Sequence, residues 1–390
     1  MTFGAERLRS PLRMPSSIRE QLGALPEATR ALLEKHRFDA DRFEKLAERY
    51  RSGAARSNRE RGRVEPPAPG DVTELPAPGS ADQADWCARG REVLRADQVA
   101  LVVLAGGMAT RMGGVVKALL EALPGKTFLD LRLAEQDAHE RENGVRPPLW
   151  LMTSDATDEP IRQALGRRLD GERVAVFPQH LSLRLTHDGN VFRDERGEAS
   201  THAPGHGDLP DALRESGLLR RFVERGGRIV MVANLDNLGA TLESAVLGFH
   251  IEHGQPVTCE VVDKVGSDKG GIPVRLDGRP VVLEEFRLPE GFDPQQVRVF
   301  NTNTFELDAR ALLELTMSFT FFVVEKTVDD QKVVQFERLI GEITSELGTK
   351  FLHVPRHGPR SRFLPVKDYD ELAQRRAEIE SVARDRGMLG

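Results

Sequence analysis

Two glycines and two cations follow one apolar run. In VVLAGGMATRMGGVVKAL, Val102 to Leu119, the adjacent Gly106 and Gly107 precede Arg111 and Lys117. Paired glycines let a backbone approach a ligand closely and turn its N–H groups toward an anion. Arginine and lysine add the positive charge that phosphates attract. The same residues suit a plain strand-to-helix turn with solvated cations, so the loop alone leaves both readings open. Two common phosphate loops are excluded. A Gly-x-x-x-x-Gly-Lys-Ser/Thr loop fails because Gly114 is followed by Val115 and Val116. A Gly-x-Gly-x-x-Gly fingerprint fails because Gly107 is followed by Met108 and Ala109. Farther on, Asp236 in ANLDN ends the apolar run RIVMVA. A carboxylate at a strand's carboxyl end suits partial ligation of Mg2+. It would equally suit a cap for the helical stretch LGATLESAVLGFH.

The elements that must position these groups are legible as alternating patterns. VALVVL, PPLWLMTS, RVAVFPQ and RIVMVANLDN are apolar and β-branched, as strands buried on both faces are. Helical stretches separate them. DEPIRQALGRRL reads as a helix capped by Thr157 or Asp158 with Pro160 in its first turn, and LPDALRESGLLRRFVERG as another. Asp208 is placed to cap the latter. Strands alternating with helices predict an α/β fold with a mainly parallel, doubly wound sheet. PVTCEVVDK, GIPVRLDG and RPVVLEE add later strands, with a hairpin turn at Asp277-Gly278. Residues 1–50 read as an N-terminal helical segment, with helical periodicity from residue 17 and Pro26 near a helix start. Residues 51–80, rich in Arg, Gly and Pro, read as a mobile linker. Residues 81–368 form the expected catalytic domain and 369–390 a C-terminal polar helix.

Composition narrows the partners. The 390 residues carry a net charge of −6, and 39% are hydrophobic. A sizeable core is affordable in length, and a generic nucleic-acid surface is not indicated. The two cysteines, Cys87 and Cys259, make neither a disulfide framework nor a zinc spacing. The basic N-terminus lacks the apolar centre of a secretory signal, and no apolar run approaches the ~18 residues of a membrane span. A cytoplasmic protein that binds neither membrane nor nucleic acid is expected.

Taken in order, LAGGMATRMG, TFLDL, LMTSDATDEP, FPQ, APGHGDLPDAL, ANLDNLGAT, DKGG, FNTNTF and RFLPVK resemble the motif series of the UDP-glucose pyrophosphorylase (UTP–glucose-1-phosphate uridylyltransferase) family. The resemblance spans roughly residues 100–370 of the printed sequence. Each motif is weak alone, and their collinear order is specific. It implies a Rossmann-like nucleotidyltransferase core with a mixed, mainly parallel sheet. The reaction it implies joins a sugar 1-phosphate to the uridylyl group of UTP, with Mg2+, and releases pyrophosphate.

The resemblance also assigns roles. Arg111, Lys117 and Lys367 would neutralise phosphate charge, and Asp236 would hold the metal. Gly106, Gly107, Gln179, Gly205, His206 and Asn234 would bind the nucleotide, with Gln179 and Gly205 reading the uracil. His206 is assigned to binding rather than proton transfer. Gly271, Glu284 and Asn303 would contact the sugar, and Phe363 would wall the site. Whether Glu284 or its neighbour Glu285 points inward is open.

The sequence departs from the family pattern in three places. Ala109 replaces a signature glycine, and is strained only if that position needs φ > 0. The lysine follows Val115 and Val116 rather than a proline. The sequence ends at Gly390 after one helix, without the family's C-terminal β-helix, so a monomer or small homo-oligomer is expected. GHGD, where N-acetylhexosamine relatives carry a GNGG-like motif, favours glucose 1-phosphate. A uridylyltransferase for another sugar 1-phosphate and a non-catalytic UDP-sugar sensor are the alternatives.

Overall fold

Alternate residues of the strand Val99–Leu104 pack into different cores, as the two-residue period of a strand requires. The computed structural model describes residues 17–54, 57–109, 112–266, 268–316 and 320–389. Arg111 lies outside the described residues. The chain forms two compact units.

The larger unit, residues 58–180, 203–322 and 337–390, is built on an eight-stranded sheet. Its strands are β1 (Val72–Glu74), β2 (Val99–Leu104), β3 (Leu149–Thr153), β4 (Val174–Pro178), β5 (Ile229–Asn234), β6 (Val257–Asp263), β9 (Val299–Asp308) and β10 (Thr349–His353). A hairpin of β7 (Gly271–Leu276) and β8 (Arg279–Glu284) intervenes in the chain. The sheet order is β1-β10-β6-β9-β5-β2-β3-β4. All neighbours are parallel except β9, which runs antiparallel to β5 and β6. The sheet is therefore mixed and mainly parallel, as expected.

Helices cover both faces. Val99, Leu101, Val103, Ile229 and Met231 face α5 (Phe128–Asn143), α6 (Asp155–Leu165) and α11 (Tyr369–Asp385), sharing a core with Leu129, Ile161 and Ile379. Ala100, Val102, Val230 and Val232 face α7 (Leu209–Glu215), α8 (Leu218–Glu224) and α10 (Ala309–Glu314), with Leu213, Phe222 and Leu312. Burying each large aliphatic contributes about 1.5–3 kcal/mol. The hairpin packs with Trp86 of α4 (Ala81–Arg95) and Phe249 of α9 (Ser244–His253). Its turn residues Asp277 and Gly278 have φ of 51° and 84°, the conformation a two-residue hairpin needs.

The smaller unit joins the helices α1 (Ile18–Gly23), α2 (Glu27–Lys35) and α3 (Ala40–Arg51) to residues 181–202 and 323–336. Pro26 occupies the N-cap of α2. Phe43 packs edge-on against Phe336 at 6.4 Å. The expected catalytic span thus contributes two segments to the unit that holds the N-terminal helices.

Four local expectations change. Residues 58–80 are anchored rather than a mobile tether. Val64–Glu65 pairs with β7, β1 pairs with β10, and Asp71 and Glu60 make ion pairs at 2.7 Å with Arg275 and Arg287. Backbone pairing and ion pairs need no apolar pattern, which is why composition misled. The stretch 209–226 is two helices because Gly217, at φ 77°, breaks it. α6 starts earlier than expected, with Ser154 in a capping box with Thr157, so Pro160 lies inside the helix. Asp208 makes no cap bond; it pairs with Arg338 at 2.7 Å.

Candidate active site

Parallel strands bring their carboxyl ends to one edge, where α/β sheets bind ligands. In register, Leu104 of β2 lies beside Asn234 of β5 and Met152 of β3, and Met152 lies beside Phe177 of β4. The residues just beyond these strands therefore converge. Gly106, after β2, has its open side against the Gln179 amide, after β4. A Cβ on Gly106 would sit 2.6 Å from Gln179 Nε2 and 3.4 Å from the Ser154 nitrogen. The space beside Gly107 is open. Gln179 is held by its N–H donating to the Thr153 carbonyl at 2.8 Å.

Ala109 lies in the short strand Met108–Ala109, paired with Val115–Val116, and is not among the positive-φ residues. It is 6% exposed within the core. The position needs a small side chain rather than φ > 0, so alanine is unstrained. The same pairing sets Lys117 directly after Val116.

Lys117 Nζ donates to Asp236 Oδ2 at 2.7 Å. The same oxygen accepts the Val366 N–H at 3.1 Å. Asp236 is no helix cap, because the next helix, α9, starts at Ser244 with Glu243 at its N-cap. The loop, Asp236 and RFLPVK thus meet at one carboxylate, and Lys367 follows the residue that touches it. Lys367 is exposed, and its own N–H donates to Glu371 Oε2 at 2.6 Å. Asn234, expected on the nucleotide side, meets Asn303, expected on the sugar side: Asn303 Nδ2 donates to Asn234 Oδ1 at 3.0 Å.

Mg2+ prefers oxygen ligands, keeps several waters and draws others from phosphates. Asp236 fits that demand, because its two contacts fall on Oδ2. The described residues contain no cluster of three or more His, Cys, Asp or Glu for a metal. A cation here would rest on one carboxylate and the phosphates.

His206 Nδ1 accepts the Ile340 N–H at 3.0 Å. The neutral ring then carries its proton on Nε2. Burial pushes its pKa down to about 4, against the pull of Glu337. It is a neutral donor at physiological pH, which matches a binding role. The turn at Gly205 is fixed by the Arg338 N–H donating to the Pro204 carbonyl at 2.7 Å.

Gly271 and Glu284 are direct partners across the hairpin. A Cβ at Gly271 would stand 2.9 Å from Glu284 Oε1, so only glycine leaves room beside that carboxyl. Burial, then Glu342 and Glu285, raise Glu284 to about 7, and Arg287 opposes them. Glu284 is the enclosed member of the pair; Glu285 lies 3.7 Å from Lys264. Asn303 has φ 61°, and its N–H donates to Asn301 Oδ1 at 2.8 Å. Phe363 packs edge-on against Phe300 at 5.3 Å.

Sequence reasoning missed the groups that hold these in place. Arg132, fully buried on α5, donates to the carbonyls of Asn234, Asn237 and Ala240 and so shapes the loop that carries Asp236. Its signal was an arginine inside the apolar stretch TFLDLRL. The Asn237 side chain bonds the Arg362 carbonyl at 3.0 Å and the Leu364 N–H at 2.7 Å. It ties the same loop to RFLPVK.

Known proteins resemble this chain in sequence and fold. A family model described as UTP–glucose-1-phosphate uridylyltransferase matches residues 40–386. A UTP–glucose-1-phosphate uridylyltransferase of Saccharomyces cerevisiae is 29% identical over 368 residues, covering 89% of this chain and 71% of that protein. One from Musa acuminata is 30% identical over 292 residues, covering 71% of this chain and 62% of that protein. A UDP-glucose pyrophosphorylase mutant from Leishmania major superposes with a TM-score of 0.70 at 27% identity, covering 90% of this chain and 79% of that one. A Trypanosoma brucei uridine diphosphate N-acetylglucosamine pyrophosphorylase shares the fold, with a TM-score of 0.76 at 20% identity over 93% of this chain and 81% of that one. With the family model matching residues 40–386, most of its length, the chain belongs to the UTP–glucose-1-phosphate uridylyltransferase family.

Proposed function

We propose that this protein transfers the uridylyl group of UTP to glucose 1-phosphate, forming UDP-glucose and pyrophosphate. An oxygen of the sugar phosphate attacks the α-phosphorus of UTP, and the bond to the bridging oxygen of the β-phosphate breaks. The attacking oxygen is already ionised, so the protein's task is positioning and charge compensation. The Asn303–Asn234 hydrogen bond carries this reading. It joins the residue assigned to the sugar directly to the residue assigned to the nucleotide, as a reaction between two bound substrates requires.

Lys117 and the segment that carries Lys367 come from distant motifs and meet at Asp236, through Lys117 Nζ and the Val366 N–H, which supports the assignment of the two lysines to the phosphates. Arg111 is assigned to the triphosphate by resemblance. Bound Mg2+ would offset charge on the phosphates and would be held by Asp236. Gly106, Gly107 and Gln179 would receive the base and ribose, with Gly205 and His206 beside them. Gly271, Glu284 and Asn303 would receive the hexose. The unstrained Ala109 weighs against a decayed, non-catalytic sensor. A cytoplasmic location and a monomer or small homo-oligomer belong to the same reading. Two free thiols support the location, and no described helix is long and apolar enough to cross a membrane.

Pyrophosphate release from UTP and Mg2+ with a panel of sugar 1-phosphates tests the assignment. Fastest release with glucose 1-phosphate is expected. Faster turnover of N-acetylglucosamine 1-phosphate would overturn the substrate, and UDP-glucose binding without release from any sugar would make the protein a sensor.

A further inference from the structure

Glu260 of β6, Glu306 of β9 and Arg362 of RFLPVK are all fully buried. Arg362 Nε donates to Glu260 Oε2 at 2.7 Å, and its Nη2 donates to the other oxygen of the same carboxylate. It also donates to Glu243 Oε2 at 3.0 Å and to the Thr241 carbonyl at 3.0 Å. Burial works against the Arg362 charge, but Glu260 and then Glu243 hold it above its ordinary value. Neither Glu306 oxygen accepts a hydrogen bond from a described donor. Glu306 pairs across the sheet with Thr258, which shares a strand face with Glu260 two residues on, and burial and then the Glu260 charge push its pKa well above the usual carboxylate range, so a neutral Glu306 stands on the side of the Glu260 carboxylate.

Glu260 also stands at an irregularity of the ladder. Cys259 pairs with Phe305 and Val261 with Asn301, so one residue of β6 opposes Thr302, Asn303 and Thr304 of β9. Such bulges re-aim a side chain beside active sites. The bulge is held by Thr302 Oγ1 donating to the Glu260 carbonyl at 3.1 Å, and by Asn301 Oδ1, which accepts from Cys259 Sγ at 3.3 Å and the Asn303 N–H at 2.8 Å. Glu260 therefore grips the sugar-side bulge with its backbone and the Lys367 segment with its side chain.

We propose that Glu306, Glu260 and Arg362 form one positioning strut, in which the Glu306 hydroxyl completes the Glu260 carboxylate and fixes the Lys367 segment against the Asn303 bulge. The proposal rests on the UDP-glucose reading of the site. The strut matters for a ligand that spans both halves and not for one confined to the nucleotide side. Glu260 and Glu243 already set two carboxylates on Arg362, so a third ionised acid at Glu306 would be an uncompensated buried charge, and the proton on Glu306 is part of the device.

Glu306→Gln keeps a neutral donor to Glu260, and Glu306→Leu removes it while filling the space with an apolar group. Calorimetric affinities for UDP-glucose and UMP, with thermal unfolding and kcat, separate the outcomes. Glu306→Leu should weaken UDP-glucose binding and lower kcat about tenfold, the scale of one lost buried hydrogen bond. UMP affinity should stay within about twofold, and Glu306→Gln should restore both properties. Equal damage in Gln and Leu would mean that Glu306 works as an anion and would overturn the proposal. So would an equal loss of UMP and UDP-glucose affinity, the mark of a merely structural role, or unchanged UDP-glucose binding in Glu306→Leu. If the unaltered protein binds UDP-glucose but releases no pyrophosphate, the uridylyltransfer reading fails while the two affinities still decide the strut.

Discussion

The two halves of the site are built differently. The half proposed for the nucleotide lies where four parallel strands end, and it uses backbone, a glycine at Gly106, an amide at Gln179 and the partly buried Lys117–Asp236 pair. The half proposed for the sugar lies on β9 and the β7–β8 hairpin, and it uses a bulge, the Glu284 carboxyl and buried ions behind them. One half takes its geometry from strand ends, which short motifs mark. The other takes it from a bulge and a hairpin backed by buried charges, such as Arg362 with Glu260. Strand ends can therefore be recognised locally, although Lys117 and Asp236 also meet across 119 positions, while a bulge and the buried charges behind it leave no short motif.

The largest effect should come from the group where the halves meet. Asp236→Ala removes the carboxylate shared by Lys117 and Val366, and kcat should fall about 100- to 1000-fold in a protein that stays folded, the scale of losing a preorganised charge-stabilising group. Steady-state kinetics with circular dichroism checks this, and a near-normal rate would sever Asp236 from the chemistry. Gly106→Ala should act on the nucleotide half alone. Its new Cβ meets the Gln179 amide at 2.6 Å. The KM for UTP should rise about tenfold, as overpacking by ~1–3 kcal/mol implies, with the KM for glucose 1-phosphate little changed. Equal rises in both would erase the division between halves.

The mildest prediction concerns Glu284. Its folded pKa of about 7 lies above the ordinary 4.5. Between those values the folded protein keeps a proton that the unfolded chain loses, so its contribution to stability is full below pH 4.5 and is lost as pH rises to 7. Glu284→Gln should flatten this part of the stability–pH curve, by up to about 3 kcal/mol across the window. It should also make the KM for glucose 1-phosphate independent of pH between about 6 and 8, where the carboxyl changes from donor to acceptor. Urea unfolding and kinetics at several pH values read both, and a mutant curve parallel to the unaltered protein's would exclude Glu284 as the titrating group.

These contrasts explain what the sequence disclosed. VALVVL and RIVMVAN could only be strands buried on both faces, and the residue after each such strand had to lie at the ligand edge. Asp236 stood at such an edge, yet only the collinear motifs set it apart from a helix cap; the turn at Asp277-Gly278 was legible because few sequences make it. Glu306 was not legible: a single glutamate in FNTNTFELD reads as a solvated charge until Glu260 and Arg362 stand beside it. Residues 58–80 failed for a related reason. Their order comes from backbone pairing with β7 and β10 and from Asp71 on Arg275, none of which leaves a periodic trace in composition.

The central claim is that the two halves meet to move a uridylyl group, and the reverse reaction tests it most directly. Labelled pyrophosphate incubated with UDP-glucose, Mg2+ and the protein should yield labelled UTP and free glucose 1-phosphate, since pyrophosphate must attack the same α-phosphorus. UDP-glucose bound firmly by calorimetry with no label entering UTP would contradict the claim, leaving a site that holds both parts of the molecule but does not exchange them.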